Sequence, residues 1–186
     1  MLTVFTGGDT GAWNILSIAP VIGESLVPAS QLGIAPSASL SDASATPWQF
    51  RGVTSHMRYV ERAEKIALTS AQAGPGRAEA TRAALIPIKK SAAWWELTQE
   101  ERRKIFEDKS HHIAASLTYL PAIAPQLYHC RDLGEPFDFL TWFEYAPEHA
   151  TIFENLVGAL RATDEWAYVE REVDIRLARA ARYDSP

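Results

Sequence analysis

The chain has 186 residues, of which 47% are hydrophobic and 22% charged, and its formal net charge is −5. That length suits one compact domain or two small halves sharing a core. The acidic balance offers nucleic acid no global basic field, and the single cysteine, Cys130, excludes an intramolecular disulfide framework.

No lysine or arginine precedes Arg51, so the N-terminus lacks the basic region of a secretory signal. The apolar stretch 13–27 is broken by Pro20, Gly23 and Glu24 and is too short to span a bilayer. A cytoplasmic protein is expected. Residues 28–47, rich in Ser, Ala and Pro, read as a long irregular segment with one short helical turn. PWQFRGVTSHMRYV (47–60) reads as a strand, and EKIALTSAQ (64–72) as its hairpin partner. AGPGRAEA (73–80) is a loop leading into a short helix, and ALIPIKKSAAWW (84–95) begins extended.

Thr98 and Glu101 fit a capping box, with each side chain satisfying the other's free backbone N–H. A helix is expected from there to about Tyr119, ending before Pro121. QLYHC (126–130) is strand-like, Leu133–Pro136 is a turn, and FDFLTWFEY (137–145) is an apolar strand. Residues 147–162 form an amphipathic helix whose stripe is Ile152, Phe153, Leu156, Val157 and Leu160. A final strand covers roughly 168–178. From residue 84 the order is β-α-β-β-α-β, the ferredoxin-like unit of an antiparallel sheet with helices on one face. The first half reads as a shortened version of the same unit. The expected class is therefore α+β, with halves at 1–80 and 81–186 in a single structural domain.

Two adjacent histidines, His111 and His112, lie inside the helix from Thr98. Neighbouring helical residues point about 100° apart, so at most one can face the core. Stepping by three and four from Ile105 reaches His112, whereas His111 falls on the stripe of Glu107 and Thr118. His112 is either a hydrogen-bonded core histidine or a ligand. Alanine and serine at the following helical positions do not make a zinc site. A haem iron needs only one axial histidine and a wide apolar pocket, which the six tryptophans could line. An axial histidine usually gives its second N–H to a carboxylate, for which Glu144, Asp164 and Glu165 are candidates. The carboxylates at 100–101 and 170–172 read as solvated faces. Lys89 and Lys90 near a strand end could meet acidic groups or water. Phosphate-binding glycine loops and the GxSxG nucleophile motif are absent.

The stretches ALIPIKKSAAWW, SHHIAASLTYLPAIA, LYHCRDLGEPFDFLTWFEYAPEHA and EWAYVEREVDIRLAR resemble the chlorite dismutases, specifically their short, dimeric subgroup. The resemblance runs through essentially the whole chain. It implies paired ferredoxin-like (dimeric α+β barrel) units, one haem b in the C-terminal half, and a homodimer. It further implies that His112 is the proximal iron ligand and Glu165 the carboxylate on its other nitrogen. Trp94 and Trp95 match the tryptophan pair near the haem, Lys90 a basic residue beside it, and Gln72 a distal-side glutamine. The implied activity converts chlorite to chloride and dioxygen through a ferryl species and transient hypochlorite, with iron carrying the redox chemistry.

One position departs from the pattern. The family's distal arginine would fall thirteen residues after His112, and Pro125 stands there. Proline offers neither charge nor donor, it removes a backbone N–H, and a bend in the strand is expected. Arg131, six residues along, would be a poor substitute. Pro125 keeps open a haem peroxidase-like enzyme with another oxidant, and a haem- or gas-binding protein remains the third reading.

Overall fold

Strand β1 (Leu2–Gly8) alternates small and large side chains so that Phe5 and Gly7 share one face. It pairs antiparallel with β3 (Gln31–Pro36) on one side and β4 (Trp48–Thr54) on the other. The remaining strands are β2 (Trp13–Ile22), β5 (Arg82–Lys90), β6 (Ile123–His129), β7 (Phe139–Tyr145) and β8 (Val169–Arg179). They close into an antiparallel barrel in the order β1-β3-β2-β8-β5-β7-β6-β4. The structure, a computed structural model, describes residues 1–36, 46–54, 62, 66, 70, 74–110 and 117–180. Each half of the chain supplies four contiguous strands in the order fourth, first, third, second. The β2–β8 and β4–β6 pairings join them.

Inward-facing residues fill the barrel. Phe5, Trp13, Leu32, Trp48, Phe50, Phe137, Leu140, Trp142, Ile175 and Leu177 form one buried cluster. Its rings meet mostly edge to face, as in Trp13–Trp142 at 5.3 Å and Phe50–Phe137 at 5.3 Å between centroids, the geometry that aromatic quadrupoles favour. Gly7 is required there, because a Cβ would lie 2.1 Å from the Trp48 ring. The outer face of β5–β7 carries a second core. Ala84, Ile86, Ile88, Ile123, Phe143 and Tyr145 pack against Phe153, Leu156, Val157 and Leu160 of helix α3 (Ala150–Arg161). The expected stripe of that helix is therefore the one it buries. Arg161 fastens α3 to β8, donating to Glu172 at 2.6 Å and Asp174 at 2.9 Å.

Several expectations need correction. Residues 31–36 are strand, since Leu32 and Ile34 face the packed interior; tertiary pairing outweighs a Ser/Ala/Pro-rich composition. The described residues of the expected hairpin partner at 64–72, Ile66 and Ser70, are helical, as is Arg62 before them. Ser70 Oγ donates to the Ile66 carbonyl four residues back, at 2.8 Å. Straight-chain and alanine residues there favour helix over strand. Residues 74–80 contain no helix and lead directly into β5. Glu172 does not lie on a solvated face: it is fully buried against Arg161 and Trp166.

The buried Cys130 thiol is pushed up to about 12 by burial, with Glu135 and Asp138 adding to the effect. Above about pH 9 the unfolded chain loses this proton while the fold keeps it, so stability falls as pH rises through that window. Burial also raises Tyr128 and Tyr145, which act in the same sense. Cys130→Ala should flatten the decline by up to about one proton, roughly 1.4 kcal/mol per pH unit. Urea unfolding between about pH 9 and 11 tests this; parallel wild-type and variant curves would refute it.

Candidate functional site

Strand β5 ends on a bulge between Lys89 and Lys90. The irregularity sends the two lysines into different environments. Lys89 reaches outward to Glu170 at 3.0 Å. Lys90 turns inward, where it is 4% exposed, and donates to Glu165 Oε1 at 2.7 Å. Glu165 sits in the 3-10 turn Asp164–Tyr168 and is 6% exposed. Burial pulls the Lys90 ammonium below its ordinary range, while the Glu165 carboxylate pulls it back up. The ammonium also lies 4.7 Å from the Trp94 ring centroid and 5.3 Å from that of Trp166.

Trp94 and Trp95 sit on helix α1 (Ala92–Glu96). Trp94 is 2% exposed, and its Nε1–H has no hydrogen-bond partner among the described residues. Trp95 instead donates to Asp138 Oδ2 at 3.3 Å and stacks on Phe139 with centroids 6.0 Å apart. Arg102 pins both: Nε donates to the Trp94 carbonyl at 3.0 Å and Nη2 to that of Trp95 at 2.7 Å. Arg102 belongs to helix α2 (Gln99–Arg103), whose start carries the expected capping box.

Beyond Arg103 the helix departs from expectation. Lys104–Lys109 form a π-helical turn, with Ser110 N–H donating to the Ile105 carbonyl at 3.2 Å. A π turn inserts an extra residue per bond. Counting by three and four from Ile105 thus loses its phase before residue 111, and cannot decide which histidine faces inward. His111, His112 and Gln72 lie outside the described residues. Ser110, the residue before His111, accepts from the Glu165 backbone N–H through its Oγ at 3.4 Å.

Of the other carboxylates weighed as a histidine partner, Asp164 is exposed. Glu144 lies elsewhere, accepting from Trp142 Nε1 at 3.0 Å and the Gly76 N–H at 2.7 Å. Pro125 lies in β6 opposite Phe143, on the face shared with Ile123 and Leu127. The strand keeps unbroken register with β7 from Ile123 to His129, so the expected bend is absent. Among the described residues, β4 meets β6 at Val53–His129 and Thr54–Tyr128. Arg131 is committed elsewhere: it pairs with Asp138 at 3.2 Å and lies 4.0 Å from the Trp95 centroid.

A protein-family model for chlorite dismutase matches residues 34–181. The chain belongs to the chlorite dismutase family. A curated chlorite dismutase from Ideonella dechloratans is 34% identical over 119 residues, covering 63% of this chain. The match spans only 40% of that relative's length. Among solved structures, a dimeric chlorite dismutase from Nitrobacter winogradskyi is 81% identical, with a TM-score of 0.90 over 96% of this chain and 99% of that one. A mutant chlorite dismutase from Candidatus Nitrospira defluvii in complex with cyanide is 29% identical, with a TM-score of 0.62 over 74% of this chain and 56% of that one. Family membership agrees with the resemblance read from the sequence. Helices long and apolar enough to cross a membrane, and clusters of three or more metal-ligating side chains, are both absent among the described residues. A single axial histidine requires no such cluster.

Asp138, Arg102 and Ser110 were not legible as site residues. The one available signal was Asp138 itself, a lone carboxylate inside the apolar run FDFL, since a charge in a buried strand needs partners.

Proposed function

We propose that the chain is a haem b chlorite dismutase, converting ClO2⁻ to Cl⁻ and O2, with His112 as the axial ligand. The buried Lys90–Glu165 pair beside the Trp94 N–H, which has no partner among the described residues, carries this reading. A histidine that holds iron gains orientation and basicity from a carboxylate on its other nitrogen. Glu165 is buried, ionisable and linked to the residue just before His111. Its ion pair with Lys90 at 2.7 Å fixes the carboxylate in place. The indole N–H of Trp94 and the Lys90 ammonium suit the acidic groups of a haem. Haem, when bound, supplies the redox chemistry; the chain supplies position, charge and exclusion of water.

On the distal side the reading includes Gln72 and Pro125. Pro125 contributes no donor, and its strand face is apolar, with Ile123, Leu127 and Phe143 around it. Chlorite should bind less tightly there than beside a cation, and hypochlorite should escape more readily. The same observation favours a second reading, a haem enzyme whose oxidant is neutral. We also assign the halves 1–80 and 81–186 to ferredoxin-like units, supported by their matching strand orders, and a homodimer, supported by the dimeric Nitrobacter structure; a cytoplasmic location is part of the same reading.

The test is oxygen release from chlorite by the haem-loaded protein on an oxygen electrode, with a hypochlorite trap in parallel. Near-stoichiometric oxygen establishes the activity. Haem bleaching with trapped hypochlorite indicates a scaffold that loses its intermediate. His112→Ala should abolish the normal haem spectrum while His111→Ala leaves it largely intact; the reverse pattern would overturn the ligand assignment.

A further inference from the structure

The two adjacent tryptophans are held in different ways, and one carboxylate makes the difference. Asp138, the residue just before β7, is 5% exposed. Its Oδ2 accepts the Lys90 backbone N–H at 2.7 Å and the Trp95 indole N–H at 3.3 Å. Its Oδ1 accepts from Arg131 at 3.2 Å. Arg131 in turn places its guanidinium 4.0 Å from the Trp95 centroid, and the Arg102 guanidinium lies at 4.9 Å. Phe139 stacks on the same indole. Trp95, which is partly exposed where Trp94 is buried, thus has its donor engaged and its ring flanked by two cations and an aromatic. Trp94 keeps its Nε1–H unengaged among the described residues.

We infer that Asp138 and Arg131 are positioning residues that lock Trp95 as a rigid wall of the site, shielded from electrophilic oxidants, and leave Trp94 as the member of the pair with a donor to offer a ligand. The inference rests on the reading that this face holds the haem. A site that handles oxychlorine species exposes its own indoles to attack. Hypochlorous acid oxidises an indole by two electrons: one oxygen is gained at C2, and a proton and chloride leave. Attack needs access to the C2–C3 bond of the ring. Guanidinium stacking blocks approach and disfavours the positive charge that develops on the ring. The Asp138 carboxylate keeps both the indole and Arg131 from turning away, through charge-assisted hydrogen bonds.

The experiment adds hypochlorous acid to the haem-loaded chain, and in parallel to the haem-free chain. Oxidation is then mapped at each tryptophan by peptide mass spectrometry. Asp138→Asn and Arg131→Gln should each speed modification of Trp95 by about fivefold or more, as expected for losing one charged hydrogen bond. Trp94 should change by less than about twofold, because neither residue contacts its side chain. A general loosening of the fold would raise both tryptophans together, and that result overturns the inference, as does an unchanged Trp95 in both variants. Arg131→Gln leaves the buried carboxylate in place, so it remains informative if Asp138→Asn fails to fold. Failure to bind haem would instead sink the functional reading, while the mapping on the haem-free chain still decides whether the lock exists.

Discussion

Glu165→Ala is expected to lower unfolding free energy by about 3–5 kcal/mol and to weaken haem binding by about 10–100-fold. Removing the carboxylate strands the Lys90 ammonium, which is 4% exposed. Desolvation already pulls this group below its ordinary range against the opposing pull of Glu165. Without that pull the folded-state proton affinity drops further, while the unfolded chain keeps its ordinary one. The unfolded state then binds more protons between the two values, so the variant regains stability as pH rises toward about 10.5. The deficit should be larger at about pH 6 than at about pH 9, since a raised pH relieves an uncompensated ammonium. The double variant Lys90→Met/Glu165→Leu should lose less than Glu165→Ala, because a buried pair can be replaced by apolar groups at little cost. It should still fail to hold haem normally. Urea unfolding and haem titration on the same proteins separate the two effects. A double variant as unstable as the single one would show that the pair is not the source of the loss.

Pro125→Arg is expected to raise chlorite kcat/KM by about tenfold or more and to cut trapped hypochlorite, since a single well-placed donor to a developing anion changes rates by about 10²–10³. The strand can accept the change. β6 holds regular register with β7 through Pro125. Arginine restores a backbone N–H and places a cation on a face otherwise occupied by Ile123, Leu127 and Phe143. Anionic haem ligands such as fluoride should tighten in the variant, while neutral imidazole should not. Steady-state oxygen release and spectrophotometric ligand titrations read both effects. Unchanged chlorite turnover with unchanged fluoride affinity would place the determinant of oxidant choice elsewhere than residue 125.

Much of the C-terminal half could be read from local pattern. The stripe on residues 150–161, the capping box at Thr98–Glu101 and the apolar run of β7 each follow from side-chain periodicity or a short-range bond. The turn after Leu133 follows too, with Gly134 at φ +71° where a side chain would be strained. These signals are confined to a few neighbouring residues, so the sequence by itself determined them. It also determined the family, through long matched segments rather than through any single motif.

Tertiary structure decided the rest, because the forces concerned act between distant residues. β3 exists because β1 and the barrel interior accept Leu32, whatever the composition around it. The π turn at Lys104–Lys109 shifts the helical phase, so a count of residues could not settle the facing of His111 and His112. Lys90 and Glu165 are 75 positions apart, with strands β6 and β7 and helices α1, α2 and α3 between them, and only folding brings their charges to 2.7 Å in a desolvated site. The separate fates of Trp94 and Trp95, adjacent in sequence, depend on Asp138, Arg102 and Arg131 arriving from three other elements.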